Sequence, residues 1–223
     1  MIELSLEDVL AELKKGTRVI LQVRHAERPK MDPNDPTFGD SLPLTEEGVR
    51  TARLFGERLA SYVGEAVFYS SPLRRTRMTA ALIAEGMGRN PGEIPVDGCL
   101  GNGTFYYNDP AEVLEVFKPQ NFFEACFEYM KTGRLNGFNE LSAASDALEE
   151  WLFGHADAQL MLVATHDLYI AAFLASRGAY PEPSRETWPR FLDAAAIFVD
   201  PDGTRRYAFV RTGLSDGIVG VRI

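Results

Sequence analysis

The sequence predicts an α/β fold of three layers, with helices on both faces of a mainly parallel sheet. Three observations predict it. Short apolar runs of strand length alternate with helical stretches along the chain. The runs Arg18–Val23 (RVILQV) and Gln159–Thr165 (QLMLVAT) are almost continuously apolar, as strands buried on both faces should be. Near the end, Ala195–Val199 and Arg205–Val210 flank Asp200-Pro201-Asp202-Gly203, a hairpin that adds antiparallel strands.

The elements follow in order. Ser5 to Lys15 places Leu6, Val9, Leu10 and Leu13 at helical spacing, and Gly16 closes that helix. Arg18–Val23 is the first strand expected, and it stops at Arg24-His25. Met31–Pro43 is rich in Pro, Asp, Asn and Gly and is expected as a loop. Thr45 caps the next helix, with Glu46 and Glu47 in its first turn and an apolar face of Val49, Ala52, Leu54, Phe55 and Leu59. Ala66–Tyr69 is a second short strand. Ser71-Pro72 is expected to open a helix, Ser as N-cap and Pro at the first helical position.

Asn90–Asn108 is expected as loop, with a short strand at Ile94–Val96. Asp109-Pro110 opens a further helical stretch. Asn121–Leu152 is expected to be mostly helical, broken around Gly133–Gly137. Gln159–Thr165 is the third core strand and stops at His166. Leu168–Ser176 is helical, and Tyr180–Pro189 is a loop. Residues 1–223 are expected to form one domain, with a mostly helical insertion or cap at about 100–155.

Composition excludes several classes. The chain has 223 residues, 45% hydrophobic and 25% charged, which is ordinary for a globular protein and foreign to a disordered chain, a collagen repeat or a coiled-coil rod. The net charge is -9, the opposite of a nucleic-acid binder's basic excess. No stretch reaches the ~18 apolar residues of a membrane span. The N-terminus is acidic where a secretory signal would be basic. Only Cys99 and Cys126 are present, in no metal-like spacing, and they read as reduced thiols of a cytoplasmic protein.

The chemistry gathers at strand ends. Of three histidines, His25 and His166 each follow a predicted core strand directly, whereas His155 sits in a loop or helix end and is given no role. Ligands of open α/β sheets bind at the carboxyl ends of the strands, so both imidazoles are expected at one edge. Arg24 and Arg28 flank His25; they would disfavour its protonated form and are suited to phosphate oxygens. A third cluster, Ser70-Ser71-Pro72-Leu73-Arg74-Arg75-Thr76-Arg77, also follows a strand. Cations are disfavoured in the first turn of a helix, so three arginines there point to a bound anion. Phe105-Tyr106-Tyr107 and Phe122-Phe123 fit either core packing or the wall of a substrate entrance. Gly101-Asn102-Gly103 lacks the third glycine and the preceding strand of a dinucleotide fingerprint.

RHAE after a strand, LPLTEEG, SSPLRRTRMTA and ATHD, in this order, resemble the histidine phosphatase superfamily, the phosphoglycerate-mutase-like fold. The matching segments run from about Arg18 to Val210. The resemblance implies phosphoryl transfer through a phosphohistidine: His25 as nucleophile, Arg24 and Arg75 as phosphate-binding arginines, and His166 as the second pocket histidine. Positioned cations can lower the barrier of such a transfer, and no cofactor or metal is implied.

Three departures qualify the resemblance. Ala26 stands where the family usually has Gly. Arg28 falls near an additional phosphate-contacting arginine of the acid-phosphatase branch, with Pro29 one residue early. His166-Asp167 is similar to that same branch, in which the aspartate protonates the leaving alcohol, whereas LPLTEEG looks more like the mutase branch. Asp167 is therefore the expected proton donor. A mid-chain glutamate, as in the mutase branch, is the alternative; Glu112 and Glu115 lie in that region. The implied function is a metal-independent phosphomonoesterase acting on a small phosphorylated substrate or a phosphoprotein. The competing readings are a phosphoglycerate-mutase-type phosphotransferase and a non-catalytic phospho-ligand binding module. Residues 90–155 are expected to select the substrate.

Overall fold

The computed structural model describes residues 3–32, 35, 37, 39–101, 105–117 and 122–215. Its sheet has six strands: β1 (Glu3–Ser5), β2 (Arg18–Arg24), β3 (Ala66–Ser70), β4 (Leu160–Thr165), β5 (Ala194–Val199) and β6 (Arg205–Arg211). They lie in the order β1-β6-β5-β2-β4-β3. β4 pairs in parallel with both β2 and β3, and β1 pairs in parallel with β6. β5 runs antiparallel to β2 and to β6, so the expected hairpin is present.

Period-two alternation along the strands builds two cores, one on each face. Val19, Leu21 and Val23 of β2 pack with α1 (Leu6–Lys14), α2 (Glu46–Ala60) and α3 (Arg74–Gly86). Ile20 of β2, Met161 and Val163 of β4 and Ile197 of β5 face the other way. They pack with α5 (Phe122–Thr132), α6 (Leu141–His155) and α7 (Asp167–Ser176). Each fully buried Leu, Ile or Phe contributes about 1.5–3 kcal/mol, so both faces need their helices. α7 is apolar on every side, and its residues Leu168–Leu174 are all buried, because the sheet covers one flank while α5 and α6 cover the other. A short helix α4 (Pro110–Val116) precedes α5.

The caps explain several boundaries. Ser5 and Asp8 form a capping box at α1. The Thr45 hydroxyl accepts from the Gly48 N–H at 2.9 Å, as its N-cap position requires. Strand β1 carries no apolar run in the sequence and forms only by pairing with the edge of β6. The strand expected at Ile94–Val96 is reduced to a single parallel bridge between Ser70 and Val96. Helix α3 starts at Arg74 with Leu73 as N-cap, three residues after the serine expected to cap it. Ser71 is unavailable for capping: its N–H donates to Ala164 O at 3.1 Å, extending the β3–β4 ladder, and its hydroxyl is engaged elsewhere. Asn121, Asn102, Gly103 and part of the Met31–Pro43 loop lie outside the described residues.

Candidate active site

Sheet order assembles the site. β2, β4 and β3 are adjacent and parallel, with Arg24 opposite Thr165 and Ser70 opposite Ala164. The His25 N–H donates to Thr165 O at 3.0 Å, so His25, His166 and Ser71 leave one sheet edge side by side. The rings of His25 and His166 lie 5.7 Å apart, centroid to centroid, at 66°. Because β5 is antiparallel, the loop that enters it arrives at this same edge. It sets the Phe191 ring 5.6 Å from His25 and 4.5 Å below the Arg24 guanidinium. Leu192 in this loop has φ 64°, an unusual conformation for a branched side chain. Its fully buried side chain and its N–H bond to Arg24 O at 3.1 Å hold it there.

His25 is 4% exposed. Its Nδ1 is 2.8 Å from Ala26 O. A carbonyl only accepts, so Nδ1 carries the proton and Nε2 holds the lone pair, the arrangement a nucleophile needs. The loop bearing His25 is pinned to α3: the Ala26 N–H donates to Thr79 Oγ1 at 3.0 Å, and that hydroxyl donates to Arg75 O at 2.7 Å. Burial pushes the His25 imidazole well below its usual range, and the charges of Arg75 and Arg24 push it further. His166 is pushed down to about 3, by burial first and then Arg75, against the opposing pull of Asp167. Both rings are therefore neutral at pH 7.

Three guanidinium groups surround the imidazoles electrostatically. Arg24 Nη1 donates to Pro189 O at 2.6 Å and Nη2 reaches Asp167 Oδ2 at 3.0 Å. Arg75 Nη1 donates to Gly39 O at 2.7 Å, and Arg28 Nη1 to Pro29 O at 2.9 Å. Arg75 is lowered to about 10, by burial first and then by Arg28. Burial and then Arg24 lower Arg28 as well. Among the described residues, the buried Nε of Arg24, of Arg28 and of Arg75 has no hydrogen-bond partner. An unmet buried donor costs about 1–3 kcal/mol, more on a charged group. Three of them around two imidazoles form a cationic cup that an anion with several acceptor oxygens would satisfy.

Asp167 opens α7. Its Oδ2 also accepts from Trp188 Nε1 at 3.1 Å, and its Oδ1 from the Leu168 N–H at 2.9 Å. Burial raises the carboxyl, but Arg24, the Trp188 bond and His166 outweigh it and hold the group below the usual carboxylate range. Trp188 in turn packs against Phe122 and Phe123, so these aromatics form the wall behind Asp167. Tyr106 is fully buried in the core. Among the described residues, no group of three or more His, Cys, Asp or Glu side chains could hold a metal.

The structure thus brings His25, Arg24, Arg75, His166, Asp167 and Arg28 to one edge, whereas Arg74 and Arg77, the other arginines of the α3 cluster, are exposed. Glu112 and Glu115 lie exposed on α4. His155 stacks on Trp151, 4.2 Å between centroids, and its Nδ1 bonds to Trp151 O, away from the cup. Sequence reasoning missed Thr79, Trp188 and Gly101 as parts of the site, and read Ser71 only as a cap. A Cβ on Gly101 would stand 2.7 Å from Ser71 Cβ and 3.2 Å from His166 Nε2, so the chain passes the second imidazole where only glycine fits. No periodicity marks these residues; the lone signal was a glycine in the loop after β3.

The profile of the histidine phosphatase superfamily (branch 1) matches residues 20–199, and the chain belongs to that superfamily. No curated protein matches it. Solved structures share its fold. A mutant phosphoserine phosphatase from Entamoeba histolytica in complex with phosphoserine is 15% identical, with 86% of this chain and 95% of that one covered at a TM-score of 0.57. A mycobacterial glucosyl-3-phosphoglycerate phosphatase is also 15% identical, with 86% and 97% covered and a TM-score of 0.56. A mycobacterial hydrolase is 16% identical, with 88% and 98% covered and a TM-score of 0.54. At these identities the likeness is one of fold.

Proposed function

We propose that this protein is a metal-independent phosphomonoesterase that works through a phosphohistidine at His25. The observation that carries the reading is the cup itself: two neutral imidazoles 5.7 Å apart beside the buried Arg24 and Arg75 and the half-buried Arg28, all three with a buried Nε that has no hydrogen-bond partner among the described residues. A phosphoryl group supplies oxygens for those donors, and its transfer needs positioned positive charge more than covalent assistance.

In the first step His25 Nε2 attacks phosphorus while the ester P–O bond breaks. Arg24, Arg75, Arg28 and His166 hold the phosphoryl oxygens. The leaving oxygen takes a proton from Asp167. In the second step the Asp167 carboxylate takes a proton from water, the hydroxide forms the new P–O bond, the P–N bond breaks, and inorganic phosphate leaves. Asp167 is ionised in the empty site. A phosphoryl dianion entering beside it draws on Arg24 and repels the carboxylate, and both effects raise its pKa.

The substrate is a small phosphomonoester or a phosphoprotein. The chain reads as one domain in which α4–α6 form a helical cap, and a cysteine content of two suits the reducing cytoplasm. Among the described residues no helix is long and apolar enough to cross a membrane.

Rapid quench with a labelled phosphate ester tests the reading. Phosphate should appear on His25 and turn over to inorganic phosphate, His25→Ala should abolish both, and EDTA should change neither. Transfer of the label to a second organic acceptor in place of water would favour the mutase reading. Tight vanadate binding with no phosphorylated His25 would favour a binding module. Inhibition by EDTA would end the metal-independent scheme.

A further inference from the structure

We propose that Ser71 and Thr76 form a hydrogen-bonded chain that fixes the tautomer of His166, holding its proton on Nε2. Four buried oxygens define the chain. Thr76 Oγ1 lies 2.7 Å from Leu73 O and 3.0 Å from Ser71 O. Both carbonyls can only accept, and two oxygens at such distances repel unless a proton lies between them. The single hydroxyl proton of Thr76 is therefore directed at those carbonyls. Ser71 Oγ is 2.8 Å from Thr76 Oγ1, and with the Thr76 proton already committed, Ser71 is the donor of that bond. A lone pair of Ser71 Oγ is then left for His166 Nε2 at 3.0 Å, and that nitrogen must carry hydrogen.

The chain runs from His166 Nε2–H to Ser71, from Ser71 to Thr76, and from Thr76 to the Leu73 carbonyl at the start of α3. Ser71 and Thr76 are each 0% exposed, so bulk solvent does not compete for either hydroxyl. Gly101 closes the remaining side, where a Cβ would stand 3.0 Å from Ser71 Oγ. The His166 ring is neutral at pH 7 through burial and Arg75, so it exists as one of two tautomers, and the serine–threonine chain selects between them. Nδ1 is left as the nitrogen that exchanges a proton when an anion enters. Ser71 and Thr76 are positioning residues: they act on the reaction only through the second imidazole. This role deepens the phosphatase reading and rests on it for its catalytic consequence, while the tautomer itself does not depend on that reading.

Ring-nitrogen NMR of the substrate-free full chain at pH 7 provides the test, because it separates a protonated from a bare ring nitrogen. Wild type should show His166 protonated at Nε2 and bare at Nδ1. Thr76→Val keeps the shape and removes the hydroxyl; Ser71 then turns its proton toward Nε2, and Nδ1 should become the protonated nitrogen. Thr76→Ser should restore the wild-type pattern. The kcat of Thr76→Val should fall about tenfold with KM little changed, the rate equivalent of one neutral hydrogen bond. Should Thr76→Val fail to fold, Ser71→Ala replaces it, and the preference for Nε2–H should vanish there. An Nδ1–H ring in wild type, or the same tautomer in wild type and Thr76→Val, overturns the proposal. Absence of phosphatase activity in wild type would overturn the phosphatase reading and leave the tautomer result standing.

Discussion

Asp167 Oδ2 lies 3.0 Å from Arg24 Nη2 and 3.1 Å from Trp188 Nε1, so one carboxylate oxygen ties the arginine beside the proposed nucleophile to the loop that enters β5. In the proposed scheme Asp167 thus has two separable tasks, aiming a guanidinium and moving a proton.

Replacing Asp167 with Asn separates them. Asn keeps an oxygen for Arg24 but carries no acidic proton. General acid catalysis contributes about 10²–10⁴-fold, so kcat on an alkyl phosphate should fall by that range. On para-nitrophenyl phosphate, whose leaving group needs no proton, the phosphorylation step, read as the pre-steady-state burst, should slow by under about tenfold, because only the later attack of water still needs the carboxylate. A burst slowed equally on both esters would remove the acid role from Asp167.

Arg75→Ala should cut kcat/KM by about 10²–10³, the loss typical of one preorganised donor to a developing anion. The fold should persist, because among the described residues the hydrogen bond that the Arg75 side chain gives up is to Gly39 O, on a loop. Inorganic phosphate should also raise the melting temperature of wild type more than that of Arg75→Ala, which calorimetry can read. An equal rise in both would remove Arg75 from the cup.

The depressed imidazoles set the pH dependence. His25 of the empty site is already neutral below pH 6.5, so kcat/KM, which reports the free enzyme, should show no acid limb from the nucleophile near that value. Stability behaves differently. The unfolded chain takes up a proton on His25 near pH 6.5 that the folded chain refuses, so the folded state is at its best above 6.5 and loses stability as pH falls below it. The slope approaches ~1.4 kcal/mol per pH unit for a group that stays neutral. Denaturant titrations at pH 7.5 and 5.5 should show this loss in wild type, and His25→Gln should reduce it. Equal losses in the two proteins would contradict the depressed imidazole.

Gly101→Ala adds one methyl against Ser71 and His166 Nε2. Overpacking of this kind costs about 1–3 kcal/mol. The displaced ring should lower kcat at least tenfold while circular dichroism stays unchanged. Wild-type turnover in this variant would mean that the loop yields freely.

The core strands were legible in the sequence because burial on both faces writes a continuous apolar run, and their ends were legible because Arg24-His25 and His166 break the pattern abruptly. The arginines of α3 stood out for the opposite reason, as cations where the helix dipole disfavours them. Strand β1 left no such mark; three residues with alternating exposure need the β6 edge to become a strand. The start of α3 was misread because Ser71-Pro72 has the chemistry of a cap, whereas the sheet ladder and His166 claim the serine first.

The sequence by itself determined which groups are proposed to carry the chemistry and that they lie at strand ends, since residue type and hydrophobic period are local properties. Only the tertiary structure decided their partners. The central place of β4 sets His25 and His166 side by side, the reversed direction of β5 delivers Trp188 and Phe191 to the same edge, and close packing presses Gly101 onto the second imidazole. Strand order and chain direction join residues more than a hundred positions apart, and no local pattern along the chain encodes a contact of that range.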